Sequence, residues 1–225
     1  MQGFVIKSTI IVYFIKREHM YRELHHPLVQ SLVNTLRDNT IDAFVFRHTI
    51  KELTKLLLYE ALYEETPICK NVITWDGEKQ YSYINEENIV IVSVLRAALP
   101  MHEAVIDTLR AAVSGFLGIK RDELTHKSVL YYDRVGDCTG KKVILVDPMM
   151  ATGGSLCDAI EVLNKKHAKS ICILNILASP QGIETVLKKH PDVEMIIAKI
   201  DEKLNDDKFI IPGLGDAGDR AYNTL

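Results

Sequence analysis

The chain has 225 residues, 47% of them apolar and 25% charged, values of an ordinary globular protein able to bury a sizeable core in one domain. A net charge of −3 and a pI near 6.2 argue against general nucleic-acid binding, which needs a basic surface. The cysteines (Cys69, Cys138, Cys157, Cys172) form no C-x-x-C pair, so they suit small apolar thiols in the reducing cytoplasm, not a zinc site or a disulfide frame.

Residues 4–15 form an apolar run broken by Lys7, too short to span a bilayer. The run lacks the basic start and small-residue cleavage site of a signal peptide. Residues 1–20 read as an N-terminal extension of uncertain role and residues 21–225 as a single domain. Pro27 opens a helix to about Arg37, preceded by His25 and His26. Adjacent residues at a helix start do not face one ligand, so the two histidines read as loop or cap residues. A second helix begins near Asp42, with Phe46, Ile50, Leu53, Leu57 and Ala61 on one face. Asp76-Gly77 is a hairpin dipeptide between short strands at 72–75 and 80–84.

Residues 89–94 (Ile-Val-Ile-Val-Ser-Val) predict a strand buried on both faces, followed by Leu95-Arg96-Ala97-Ala98-Leu99-Pro100. Open α/β sheets bind ligands at the carboxyl ends of their strands, and Arg96 there suits forked contact with phosphate. A surface ion pair would account for it as well. A helix is expected from Pro100 to about Ala112. Residues 115–140 then read as an irregular, charged excursion with a strand at Ser128–Asp133. Composition favours a solvated hairpin there, although a water-excluding lid is a second reading.

The most informative stretch runs Lys142-Val-Ile-Leu-Val146, then Asp147-Pro148-Met149-Met150-Ala151-Thr152-Gly153-Gly154-Ser155. A buried strand leads to an acid, a glycine turn and a helix striped by Leu156, Ala159, Ile160 and Leu163, with Ser155 the expected N-cap. The N–H groups and partial positive charge of such a helix start form an anion site, and a carboxylate beside it suits the hydroxyls of a phosphorylated sugar. Neither a Walker A ending nor G-x-G-x-x-G is present. Cys157 and Cys172 are expected to be buried. A strand over 170–177, a helix over Pro180–Lys189 and a strand over 193–199 complete a β–α alternation. That alternation predicts an α/β fold, an open and mostly parallel sheet with helices on both faces. The tail, Ile211-Pro-Gly-Leu-Gly215-Asp216-Ala217-Gly-Asp-Arg220, packs three glycines and two acids into residues 212–220 and predicts a loop holding neither helix nor strand. On composition alone it serves equally as a solvated loop or as a ligand loop that offers backbone groups.

The turn at 147–155 resembles the phosphoribosyl-diphosphate (PRPP) motif of type I phosphoribosyltransferases. Pro148 after the acid, together with the tail, is similar to the uracil phosphoribosyltransferase branch. The resemblance covers roughly residues 25–225, which makes Met20 a candidate start and residues 1–19 an upstream extension. It implies the type I fold with a β-arm or hood over residues 115–140, and transfer of phosphoribosyl from PRPP to uracil with Mg²⁺ carried on PRPP and water, with no direct protein ligand. It implies PRPP contacts at Arg96, Arg121, Asp147, Pro148, Met149, Met150, Ala151, Thr152, Gly153, Gly154, Ser155 and Asp216. Uracil contacts are implied at Ile210, Gly215, Asp216 and Ala217. Arg96 and Asp216 would be catalytic, the latter as a candidate proton acceptor. Subunit contacts would fall near Tyr59-Glu60-Ala61 in a homodimer or homotetramer, with GTP an effector as in some bacterial members. No nucleic-acid or membrane partner is implied. The chain departs from the family's Leu-Arg-Ala-Gly at Ala98, where a glycine would serve a positive φ or a close backbone approach. Two other classes stay open on sequence: an RNA-binding regulator, against which the acidic pI weighs, and a weakly catalytic sensor or oligomer partner, which rests on Ala98 alone.

Overall fold

The computed structural model describes residues 20–121 and 128–224, the side chains of Arg121 and Ser128 excepted. The extension at 1–19 and the middle of the charged excursion, with Asp122, Glu123 and Lys127, lie outside the described residues.

The chain enters at β1 (Tyr21–Glu23), a short edge strand. His26 then caps α1 (Pro27–Arg37), its Nδ1 accepting the Leu28 N–H at 3.1 Å, so the histidine has the cap role its position suggests. Asp42 caps α2 (Ala43–Ala61) in the same way, and the Phe46, Ile50, Leu53, Leu57 and Ala61 stripe is buried. The hairpin β2 (Ile68–Thr74) and β3 (Gly77–Tyr83) is longer than expected. Its loop is Trp75-Asp76, because Thr74 pairs with Gly77 and the glycine already belongs to the returning strand. Next come β4 (Ile89–Leu95) and α3 (Leu99–Thr108). The helix stops short of Ala112 because the Leu109 N–H closes its last turn and Glu86 Oε2 takes the Ala111 N–H at 2.7 Å.

The largest correction concerns β5 (Val113–Arg121), which is an integral strand of the main sheet where an irregular excursion was expected. Gly115 and Gly118 interrupt its apolar run and imitate a loop, yet Gly118 is there for space. A β-carbon on it would lie 2.6 Å from the Tyr131 ring of β6 (Ser128–Asp133), which folds back antiparallel over it. Then follow β7 (Lys142–Val146), β8 (Met149–Met150), α4 (Gly154–Lys165), β9 (Ser170–Ala178), α5 (Pro180–Lys189) and β10 (Glu194–Ile200). A two-stranded unit of β11 (Lys203–Leu204) and β12 (Ile210–Ile211) leads to α6 (Ala217–Tyr222).

The tail therefore does hold regular structure. Past Gly218 the run Asp-Arg-Ala-Tyr is compatible with a helical turn, and Asp216 caps it by accepting the Asp219 N–H at 2.9 Å. The main sheet runs β1-β10-β9-β7-β4-β5-β6, with β8 added on β9, and is parallel except where β6 meets β5. The α1, α2 and α3 side chains pack on one face and those of α4 and α5 on the other, the expected two-faced architecture. Cys157 and Cys172 are buried within it and neither is in a disulfide.

Candidate active site

The carboxyl ends of β4, β7 and β9 open onto a cleft where the turn at 147–155, the loop at 95–98 and the tail converge. The turn is fastened to β9. Asn175 Nδ2 donates to the Asp147 carbonyl, and the Pro148 carbonyl accepts from Ile176 and Leu177 at 3.2 and 2.9 Å. Ser179 Oγ donates to the Ala151 carbonyl at 2.6 Å. Gly153, not Ser155, precedes the helix, at φ +79°, and Ser155 is already inside α4. The left-handed turn leaves no place for a side-chain cap. A β-carbon on Gly153 would lie 2.6 Å from the Gly182 carbonyl, so the glycine permits close packing of the turn on α5 as well as its turn geometry. The first intrahelical bond is Cys157 N–H to Gly153 C=O at 3.0 Å. The N–H groups of Gly154, Ser155 and Leu156 thus have no intrahelical acceptor, the arrangement an anion requires.

Gly153→Ala is expected to retain the fold with some loss of stability and to lower turnover about a hundredfold, since the turn must move by a sizeable fraction of an ångström. Circular dichroism with steady-state kinetics checks this; unchanged turnover would mean the turn does not position the substrate.

Asp147 follows β7, and one oxygen accepts the Met149 N–H at 3.1 Å. The residue keeps a solvent-facing edge, but protein atoms close around the carboxyl. Burial pushes its pKa up to about 7, with the Met149 bond pulling weakly the other way. Two adjoining cavities fill the cleft. One, of about 200 Å³, is lined by Asp147, residues 149–156 and Lys208. The other, of about 370 Å³, is lined by Ala97, Met149, Ala151, Ile210 and the 215–218 segment, with Asp207, Lys208 and Phe209. Met149, Ala151 and Lys208 border both.

The structure thus brings together Asp147, Met149, Met150, Ala151, Thr152, Gly153, Gly154, Ser155, Ile210, Gly215, Asp216 and Ala217. Pro148 is buried and borders neither cavity. Arg96 is exposed beside the tail, its Nη2 3.4 Å from Asp219 Oδ1. Arg121 ends β5, three residues beyond the Gly118–Leu95 pairing, which carries its backbone about 10 Å past the sheet's carboxyl edge. Its side chain is outside the described residues. The neighbouring His102 of α3 shares a 2.7 Å hydrogen bond with Ser93 of β4 and is kept neutral by burial, which fixes the helix that follows the Arg96 loop. Ala98 has φ −80° and ψ −3°, ordinary right-handed backbone, and its methyl group is buried. No positive φ is demanded there, so the sequence departure at Ala98 carries no backbone strain, and of the two roles a glycine would serve only a close backbone approach to a ligand stays open.

Sequence reasoning missed the residues that hold the tail. Asp201 accepts from Arg37 on both oxygens, at 2.6 and 2.9 Å, and from the Gly213 N–H at 2.8 Å, while Arg37 also donates to the Gly213 carbonyl at 2.6 Å. Arg47 donates to the Ala221 carbonyl at 2.6 Å. Arg220 donates to the carbonyls of Leu214 and Asp38 and lies over the Phe46 ring. Nothing local in the sequence marks these pairs, which join residues more than 160 positions apart in the case of Arg37 and Asp201. Among the described residues no group of three or more His, Cys, Asp or Glu side chains is placed to hold a metal ion, and no helix is long and apolar enough to cross a membrane.

Residues 23–224 match the family model described as uracil phosphoribosyltransferase. The chain is 43% identical over 203 residues to a uracil phosphoribosyltransferase of Aquifex aeolicus, covering 90% of this chain and 98% of the relative. It is 42% identical over 200 residues to the protein so named in Dictyoglomus turgidum, covering 88% and 97%. A solved protein structure from Aquifex aeolicus superposes with a TM-score of 0.88 at 43% identity, covering 91% of this chain and 98% of that one.

Proposed function

The chain belongs to the uracil phosphoribosyltransferase family, and we propose that it transfers the phosphoribosyl group of PRPP to N1 of uracil, giving UMP and diphosphate. The observation that carries this reading is the seam at Met149 and Ala151, which joins the cavity at the start of α4 to a cavity lined by the tail. In this reading Thr152, Gly153, Gly154 and Ser155 take the 5′-phosphate and Asp147 takes ribose hydroxyls. Met149, Met150 and Ala151 wall the ribose, and Pro148 fixes the corner behind them. Ile210, Gly215 and Ala217 hold uracil, an uncharged ring of alternating donors and acceptors that backbone groups match.

The N1–C1′ bond forms as the bond from C1′ to the diphosphate oxygen breaks, and the N1 proton leaves. Asp216, with one oxygen capping α6 and the other without a hydrogen-bond partner among the described residues, is the proton acceptor in this scheme. Arg96 exchanges an exposed ion pair worth no more than about 1 kcal/mol for the oxygens of the departing diphosphate. Arg121, at the end of the β-arm, joins it. Mg²⁺ on the diphosphate would supply further charge neutralisation when bound. Asp216 would reach that ion through bound water and without direct ligation, as the family resemblance implies. Catalysis is then positioning and charge stabilisation.

The same reading takes residues 21–225 as one catalytic domain acting in the cytoplasm, as a homodimer or homotetramer, with GTP as an effector carried over from the family alone. The exposed Ile73 and Trp75 of the hairpin, with Tyr59 and Tyr63 near the end of α2, support burial against another subunit. UMP formation from uracil, PRPP and Mg²⁺, run beside cytosine, hypoxanthine and adenine, is the test. Turnover with uracil alone is expected; turnover with a purine, or with no base, overturns the assignment.

A further inference from the structure

Lys208 is exposed and borders both cavities of the cleft without belonging to any motif of the turn or the tail. Of the residues bordering the smaller cavity it alone comes from outside the stretch 147–156, and it is the one cationic residue among the described residues bordering either cavity. Its backbone is at φ +68°, a left-handed conformation that suits glycine or asparagine and is unfavourable for a lysine. The turn enforces this. Asn205 donates its N–H to the Phe209 carbonyl at 2.9 Å, its side-chain oxygen accepts the Phe209 N–H at 2.8 Å, and Lys208 donates its N–H to the Asn205 carbonyl at 3.0 Å. Asp206 and Asp207 lie in the same turn, and among the described residues Lys208 forms an ion pair with neither. A glycine would fit this backbone with less strain, whereas a lysine adds a mobile positive charge at the rim of a cavity whose floor is a row of free N–H groups.

We propose that Lys208 is a substrate-binding residue that closes over the 5′-phosphate held by the 152–155 turn. This rests on the phosphoribosyl-transfer reading above. The side chain adds one charge-assisted contact to the amides of the helix start. Because the lysine also borders the base cavity, phosphate binding orders the wall against which uracil packs.

The experiment measures equilibrium binding of PRPP, UMP and uridine to the parent protein and to Lys208→Gly, Lys208→Ala and Lys208→Arg. Lys208→Gly is expected to fold with a Tm no lower than the parent, since it relieves the left-handed strain. It should bind both PRPP and UMP about tenfold more weakly, with uridine unaffected, and Lys208→Arg should keep most of the affinity. UMP and PRPP affinities within twofold of the parent in Lys208→Gly would overturn the proposal. So would weakened PRPP with unchanged UMP, which would assign the lysine to the diphosphate. If the parent binds PRPP yet makes no UMP, the uracil reading fails while the binding of PRPP and UMP together by Lys208→Gly still decides the role of the lysine.

Discussion

Asp147→Asn is expected to lower kcat/KM for PRPP by about a hundredfold or more while making the ligand-free protein more stable at alkaline pH. Both effects have one cause. Among the described residues the carboxyl accepts the Met149 N–H alone, and burial raises its pKa from 3.8 to about 7. The folded state therefore holds a proton that the unfolded chain has already released. Stability contributed by the protonated form is complete below pH 4 and is lost as pH rises through about 7, by up to about 4 kcal/mol. An enclosed carboxylate with few partners is costly to the fold and useful to a polyhydroxyl ligand, whose hydroxyls supply the missing donors. Asparagine keeps an oxygen for the Met149 N–H, does not titrate, and offers the ribose one acceptor oxygen fewer. In the parent, kcat/KM for PRPP should rise with pH to a plateau above about 7, the limb belonging to the free enzyme, and in the variant this limb should flatten. Urea melts at pH 5 and pH 8 and PRPP kinetics across that range check both arms. A variant with the parent's kcat/KM would remove Asp147 from the ribose site. One losing activity without gaining stability at pH 8 would show that the carboxylate is not strained by burial.

The parts of this site that could be read from sequence are those in which structure and chemistry share a short stretch. The run 142–155 contains its strand, acid, left-handed turn and helix start within fourteen positions, so the pattern is complete in itself. α1 and α5 could be placed to the residue because Pro27 and Pro180 open them and the capping side chains are adjacent. β5 was hidden because the need for glycine at Gly118 arises from Tyr131, thirteen residues on, and a sequence window sees only a broken strand. The cap position at Gly153 was misread because serine is the commoner cap, while the actual constraint is the Gly182 carbonyl behind the turn. α6 was missed for the opposite reason: the glycines at 213 and 215 dominate the composition, although the helix starts only after them. Local chemistry is legible where the partner is near in sequence and fades where the partner is distant.

The clamp between Arg37 and Asp201 is the extreme case, and its removal should separate stability from function. The Asp201 side chain is 2% exposed and that of Arg37 20%. Arg37→Met leaves the carboxylate buried with only the Gly213 N–H, and Asp201→Leu leaves a guanidinium enclosed without its partner. Each single change is expected to cost about 3–5 kcal/mol and to lower Tm by roughly 10 °C. Each also frees Gly213 at the start of the tail, so the KM for uracil should rise at least about tenfold with a smaller change for PRPP. The double variant Arg37→Met/Asp201→Leu removes both charges and replaces them with apolar groups, which buried ion pairs often tolerate with little net loss. Its Tm should therefore recover most of the deficit. The uracil KM should not recover, because no side chain then holds the Gly213 N–H and C=O groups. If stability and uracil binding return together in the double variant, the clamp is only a stabilising pair. If the single variants keep the parent's KM for uracil, the tail is positioned by Arg47 and Arg220 instead. A recovered Tm with an unrecovered KM would mean that this ion pair, costly to desolvate and replaceable as a source of stability, is retained because it aims the backbone of the base-binding loop.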